Sequence, residues 1–234
     1  MILFKKKIVV TGGEGRFASV LKKTKSNYDY LFPSKKTLNI LNVNSIRKYI
    51  QKYKPKYLLH CAGLSRPMII HETNFKKSID LNIIGTANVT KICSEYNVKL
   101  IYFSTGYVYE GKIGNYKETS PILPINKYAW SKLGGECAVK LYKNSLILRV
   151  IMCEKPFLHK SAFKDIKTNF IFHEDVAKFI PKILNKKGIL NVGGKIQSVY
   201  NFAKKYNKFI KKTSGRKMFP PNPSMNITKL KKII

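Results

Sequence analysis

The sequence predicts an α/β fold: a doubly wound parallel sheet with a small C-terminal substrate lobe. Three observations predict it. Short apolar runs rich in β-branched residues alternate with stretches of helical period as far as Ile151, and such alternation implies right-handed crossovers between parallel strands. The first run, Lys7-Ile8-Val9-Val10-Thr11, leads directly into a glycine-rich turn and then a helical stretch. Reactive residue types stand where later elements end or begin, at Ser104-Thr105 and at Tyr128.

The elements follow in order. After the Lys7–Thr11 strand, Gly12-Gly13-Glu14-Gly15-Arg16-Phe17-Ala18 has the strand, turn and helix context that a dinucleotide-binding fingerprint requires. Gly12 permits the tight turn, Gly15 lets backbone approach a pyrophosphate, and the helix start offers free N–H groups and a positive dipole end. Residues 28–32 form the second strand, followed by Pro33-Ser34-Lys35-Lys36. An acid here would bind the adenosine ribose of NAD. Ser34, Lys35 and Lys36 stand there instead, which leans toward the 2′-phosphate of NADP. Residues 45–54 read as a helix stopped by Pro55, and 56–63 as a strand ending in small residues. Residues 74–96 are a long helical stretch, and the run from Val98 is a strand ending at Ser104-Thr105. A loop with Gly111, Gly114, Pro121 and Pro124 precedes the Tyr128 helix, and residues 145–151 are a further strand. Beyond lie a helix at 175–184 containing Pro181, a strand at 188–192, a helix at 198–210 and a short final helix. The expected division is 1–152 as the dinucleotide-binding domain and 153–234 as a small lobe over the cleft.

Composition narrows the classes. Apolar residues make up 44% and aromatics 12%, enough for a folded core. No run of about 18 apolar residues exists, so no spanning helix is expected. Met1-Ile2-Leu3-Phe4 precede the first lysines, the reverse of a signal-peptide order. Cys61, Cys93, Cys137 and Cys153 contain no C-x-x-C pair, the pattern of reduced thiols in a cytoplasmic protein. His60, His71, His159 and His173 lack metal-ligand spacing, so no metal is expected. The net charge of +33 comes from lysines spread end to end, with few arginines. A nucleic-acid surface would cluster charge and use arginine forks. The charge therefore reads as compositional bias, with no specific nucleic-acid partner and no membrane partner.

The chemistry gathers at Tyr128-Ala129-Trp130-Ser131-Lys132. Residues at i and i+4 share a helix face, so phenol and ammonium reach one cleft. A cation close to a phenol favours the phenolate and lowers its pKa from about 10. Tyr128 is thus the candidate proton donor, and Thr105 a donor to the same oxygen.

TGGEGRFA (Thr11 onward), HCAG (from His60), LNIIGT (from Leu81), FSTGYVYEG (from Phe103), YAWSK and LILRV (from Leu146) stand in an order that resembles the extended short-chain dehydrogenase/reductases. The nearest resemblance is to the dTDP-4-dehydrorhamnose reductase group, whose C-terminus the tail PPNPSMNITKLKKI also resembles. The resemblance implies a Rossmann-like fold and NADPH as hydride donor, with NADH also admitted. It implies reduction of the 4-keto group of a nucleotide-linked deoxysugar. Thr105 and Tyr128 would polarise and protonate the ketone. Lys132 would bind the nicotinamide ribose and depress the Tyr128 pKa. Gly12, Gly15, Arg16 and Phe17 would line the pyrophosphate; Cys61, Ala62 and Gly63 the adenosine side; Ser34, Lys35 and Ser104, with Tyr128 itself, complete the cofactor set.

Two departures stand out. The stretch 149–175, which supplies much of the family's sugar-nucleotide pocket, is short. Gly106-Tyr107 replaces the Asp-Glu of the dehydratases, which removes an acid and a base for dehydration. A nucleotide-sugar 4-epimerase shares Thr, Tyr and Lys, and is the nearest alternative enzyme. A non-catalytic, NADP-binding regulatory subunit like that of methionine adenosyltransferase is the alternative of another class. Helices near 74–96 and 128–142 form dimers in this family, which allows a homodimer.

Overall fold

The computed structural model describes residues 5–215 and 219–234. The reading of Met1-Ile2-Leu3-Phe4 lies outside them. Strands β1 (Lys7–Thr11), β2 (Asp29–Leu31), β3 (Tyr57–His60), β4 (Lys99–Thr105) and β5 (Ser145–Val150) share one sheet with a later strand, Gly188–Val192. The sheet has six strands, and every neighbouring pair is parallel. Between these strands run α1 (Arg16–Lys23), α2 (Val43–Tyr53), α3 (Ile69–Thr73), α4 (Phe75–Ser78), α5 (Gly85–Glu95) and α6 (Lys127–Lys140). From β1 the chain goes outward to β2, then returns past β1 to β3, which pairs with β1 on its other side. That reversal is the topological switch point, where open α/β sheets hold ligands beyond the carboxyl ends of their strands.

Period-two alternation divides the core between the two faces. Ile8, Val10, Leu59, Ile101, Phe103 and Leu148 pack with Phe17 and Leu21 of α1. Val9, Leu58, Leu100, Tyr102 and Ile147 pack with Ile46, Ile50, Val89, Ile92 and Val139 from α2, α5 and α6. Burial on both faces explains why the strands read as near-continuous apolar runs. The expected helix over 74–96 is helical almost throughout but not uniform: α4 passes through a π-helical turn, Ile79–Ile84, before α5. Helix α6 lies close against that turn because Gly135 has no side chain. A Cβ there would stand 2.4 Å from the Tyr102 hydroxyl and 2.7 Å from the Asn82 carbonyl.

The segment expected to form the lobe divides in two. Helix α7 (His173–Ile183) continues through Pro181, buries Val176, Phe179 and Ile180 beside α1, and leads into Gly188–Val192, which extends the main sheet next to β5. The rest is built from small pairings. β6 (Met152–Cys153) pairs with β9 (Ile171–Phe172), β7 (Ser161–Phe163) with β12 (Lys211–Thr213), and β8 (Lys167–Thr168) with β11 (Gln197–Ser198). The sheet strand at 188–192 is β10. The helix expected over 198–210 is shorter, α8 (Val199–Lys204), and the final helix is α9 (Thr228–Lys231).

Candidate active site

A cleft of about 940 Å³ opens along the carboxyl edge of the sheet. On one side stands the glycine-rich turn. Gly12 has φ +69°, and its carbonyl accepts the Gly15 N–H at 2.8 Å, which closes the turn. A Cβ on Gly12 would meet the Ala62 backbone at 3.0 Å, so only glycine fits both the conformation and the approach. Helix α1 then starts at Gly15 with no side-chain cap, leaving first-turn N–H groups for a ligand. Beneath the turn, the Thr11 hydroxyl contacts His60 Nδ1 at 2.8 Å and accepts the Ala62 N–H at 3.2 Å. His60 Nε2 reaches the Thr86 hydroxyl at 3.0 Å. Burial, with Lys132 nearby, pushes His60 down to about 3, so this histidine is a neutral strut.

The other side is α6, started by Asn126, whose side chain accepts the Ala129 N–H at 2.8 Å. That cap fixes the turn carrying Tyr128. Asn82, fully buried in the π-helical turn, accepts from the Leu64 N–H at 2.7 Å and donates to the Leu64 carbonyl at 2.9 Å and to Ser131 Oγ at 2.8 Å. It joins the loop after β3 to the helix between Tyr128 and Lys132. Thr105 ends β4 and accepts the Tyr107 N–H at 3.2 Å. Its hydroxyl stands near the Tyr128 phenol and favours the phenolate. The His71 ring lies 5.0 Å from that of Tyr128 and is anchored by Ser78 at 2.7 Å from its Nδ1.

Of the residues expected from sequence, Gly12, Gly15, Arg16, Phe17, Cys61, Gly63, Ser104, Thr105, Tyr128 and Lys132 all line this cleft. Ala62 does not; it forms the floor under Gly12. Ser34 and Lys35 also stand outside the lining. Ser34 is turned to Thr37 at 3.1 Å, and the Lys35 N–H lies 3.5 Å from the Glu14 carboxylate, which the turn brings to the end of β2.

The expected depression of the Tyr128 pKa is corrected here. Burial dominates and, with Tyr107 adding to it, pushes the phenol up to about 12; the Thr105 hydroxyl and the Arg66 charge only partly offset this. The Lys132 ammonium sits 4.2 Å from the centre of the Tyr102 ring and close to Gly63. Burial pushes it down to about 7, against Glu136 and Cys61, which favour its charge. The i, i+4 pattern places both groups in one cleft, but the charge felt at the phenol is that of Arg66. Sequence reasoning missed Asn82, His71, Arg66 and Glu154. Asn82 carried a signal, a polar side chain inside an apolar helical stretch.

A parallel sheet with its glycine-rich turn at the switch point and a Thr, Tyr and Lys set opposite defines a protein of the extended short-chain dehydrogenase/reductase type. Residues 6–153 match the family described as the RmlD substrate binding domain, and the chain belongs to that family. It is similar to methionine adenosyltransferase 2 subunit beta of Xenopus laevis, 32% identical over 155 residues, which cover 62% of this chain and 46% of that protein. It is similar to the dTDP-4-dehydrorhamnose reductase of Aggregatibacter actinomycetemcomitans, 28% identical over 148 residues, covering 61% of this chain and 50% of that one. The matched stretch thus spans about half the length of these curated relatives. The crystal structure of a Bacillus anthracis dTDP-4-dehydrorhamnose reductase in complex with NADP superposes with a TM-score of 0.88 at 23% identity, covering 99% of this chain and 93% of that one, which shows the fold.

Proposed function

We propose that this chain binds NADPH, with NADH as the second cofactor it admits, and reduces the 4-keto group of a nucleotide-linked deoxysugar in the cytoplasm. The observation that carries this is the meeting of Thr105, Tyr128 and Lys132 with an uncapped helix start behind Gly12 and Gly15, all in one cleft. The residues suit a dinucleotide. The turn leaves no room for a Cβ at Gly12, and the buried Ser104 hydroxyl, which lines the cleft, has no protein partner. The nicotinamide, when bound, supplies a hydride.

The chain's own groups supply the rest. The Thr105 hydroxyl donates to the ketone oxygen and favours the charge that develops there. Tyr128 gives that oxygen a proton; with its pKa pushed up to about 12, the phenol is protonated at neutral pH and ready to act as the acid. Lys132, between the Tyr102 ring and Gly63, holds the cofactor ribose. The small pairings of 153–170 and 195–215 are the substrate lobe. Tyr128→Phe deletes one oxygen and should cut turnover roughly 10²–10⁴-fold with NADPH affinity nearly unchanged. The assay is NADPH oxidation with dTDP- and UDP-linked 4-keto-6-deoxyhexoses, and wild-type turnover in the Phe variant would refute the mechanism.

One observation favours a second reading. The methionine adenosyltransferase 2 beta subunits match at 31–33% identity. A chain that binds NADPH but reduces no keto-sugar in a broad panel acts as a regulatory subunit of that kind.

A further inference from the structure

Three charged residues meet across the cleft from three separate elements. Arg16 is the first residue of α1, Arg66 lies in the loop after β3, and Glu154 follows β6. Arg16 Nη1 stands 3.0 Å from Glu154 Oε1. Arg66 Nη1 donates to Glu154 Oε1 at 3.0 Å and to Oε2 at 3.2 Å. Arg16 also reaches Ser65 Oγ at 3.4 Å. All four residues line the cleft. The Glu154 side chain is 18% exposed, while Arg16 and Arg66 are 49% and 43% exposed. The carboxylate is therefore the inner member of the group. Burial opposes its charge, but its own backbone N–H, Arg66 and Arg16 outweigh that and hold it below the usual carboxylate range.

The chemistry of the arrangement is that of an anion site whose anion belongs to the protein. Guanidinium forks take carboxylate and phosphate alike. Here they converge beside the uncapped start of α1, where backbone N–H groups and the helix dipole also favour an anion. With Glu154 in place, the two arginines present one net positive charge. A diphosphate diester carries two negative charges and needs both. We infer that Glu154 is a specificity-determining residue: its carboxylate occupies the Arg16–Arg66 anion site, and a ligand's diphosphate must displace it to bind. This rests on the reading that a dinucleotide's diphosphate enters at the glycine-rich turn.

Glu154→Gln keeps the side-chain shape and removes the charge. It should bind inorganic diphosphate and NADPH about three- to tenfold more tightly than wild type, as expected for losing two partly exposed ion pairs that compete with the ligand. Glu154→Asp, whose shorter carboxylate reaches one arginine, should fall between them and serves if the Gln variant folds poorly. Arg66→Gln in the Glu154→Gln background should abolish the gain, since one fork of the site is then missing. Calorimetric titration of the full chain with inorganic diphosphate and, separately, with NADPH reads all three. Equal or weaker diphosphate binding by both Glu154 variants overturns the inference, whatever NADPH does. A gain for diphosphate with no NADPH binding by any variant keeps the inference and removes the cofactor reading.

Discussion

Helix α6 carries two buried charged sites with opposite fates. Toward the cleft, Lys132 rests on the face of Tyr102 at 4.2 Å, and burial brings its pKa down to about 7. One turn further, Glu136 faces Arg149, which is 1% exposed. Arg149 donates from Nε to both Glu136 oxygens at 3.2 and 3.3 Å and from Nη2 to Oε2 at 2.9 Å. Its Nη1 reaches the Tyr109 hydroxyl at 2.9 Å. Burial works against the Arg149 charge, yet Glu136 and Tyr109 hold its pKa above the ordinary value. Both cations are buried, yet the outcomes differ, because Arg149 has a carboxylate fork and Lys132 rests on a ring. Arg149, behind the helix, is built to stay charged. The amine in front is poised to change charge near neutrality, which suits a group that handles a ligand.

The sharpest test removes the carboxylate. Glu136→Gln leaves Arg149 buried without a counter-ion, and breaking one side of such a pair costs roughly 3–5 kcal/mol. In a chain of this size that is a fall in Tm of roughly 10 °C, read by calorimetry at pH 7. An unchanged Tm would mean that Tyr109 and the Glu118 carbonyl, 3.5 Å from Nη1, satisfy Arg149 alone. The same variant takes from Lys132 the first group favouring its charge, so the Lys132 pKa should fall as well.

The cleft side of this contrast was legible in the sequence, and the other side was not. Gly12, Thr105, Tyr128 and Lys132 are local patterns: a turn between strand and helix, a strand end, and two residues a helical turn apart. Local period fixes their placement once the elements form. Arg149 and Glu136 are brought together across a strand and a helix, and Arg16, Arg66 and Glu154 across three elements, so no spacing announces either group. The direction of the Tyr128 pKa shift escapes the sequence for a related reason. Adjacency on a helix gives proximity, while the direction of the shift depends on burial, which only packing determines. The strand pairings of the lobe escaped because runs such as Met152–Cys153 and Lys167–Thr168 are too short to show a period. Lys35 is marked in the sequence only by its place after β2, in a chain where lysine is common everywhere. The glycine-rich turn instead carries Glu14 to that point.

A second test isolates the poised amine. A lysine near 10.5 in the unfolded chain and about 7 in the folded one binds fewer protons when folded between those values. The unfolded state then holds the extra proton, so stability rises with pH across that window. Below pH 7 the full cost of the buried charge is present. Lys132→Met removes the cost, so its gain over wild type should be largest below pH 7, roughly 5 kcal/mol at most, and should vanish toward pH 10.5. Urea midpoints at pH 6, 8 and 10 measure it. A gain that does not change with pH would place the effect in packing and remove the contrast with Arg149.

The smallest effect tests the ring itself. Tyr102 meets Lys132 twice: its face lies under the ammonium, and its hydroxyl donates to the Lys132 carbonyl at 3.1 Å. The two contacts separate by substitution. Tyr102→Phe deletes the hydroxyl and keeps the face, so it should cost about 1 kcal/mol of stability and leave the Lys132 titration in place. Tyr102→Leu deletes both. Losing a cation–π contact of roughly 0.5–1 kcal/mol removes support for the charged form alone, and so lowers the Lys132 pKa by roughly half a unit. The signal to follow is the Lys132 side-chain resonance in a pH titration by NMR, assigned by its disappearance in Lys132→Met. The Leu variant should titrate below the Phe variant, and the Phe variant with wild type. If Leu and Phe titrate together, the ring contributes only its bulk. The charge on Lys132 is then set by burial and Glu136, and the cleft and the interior differ in degree of pairing alone.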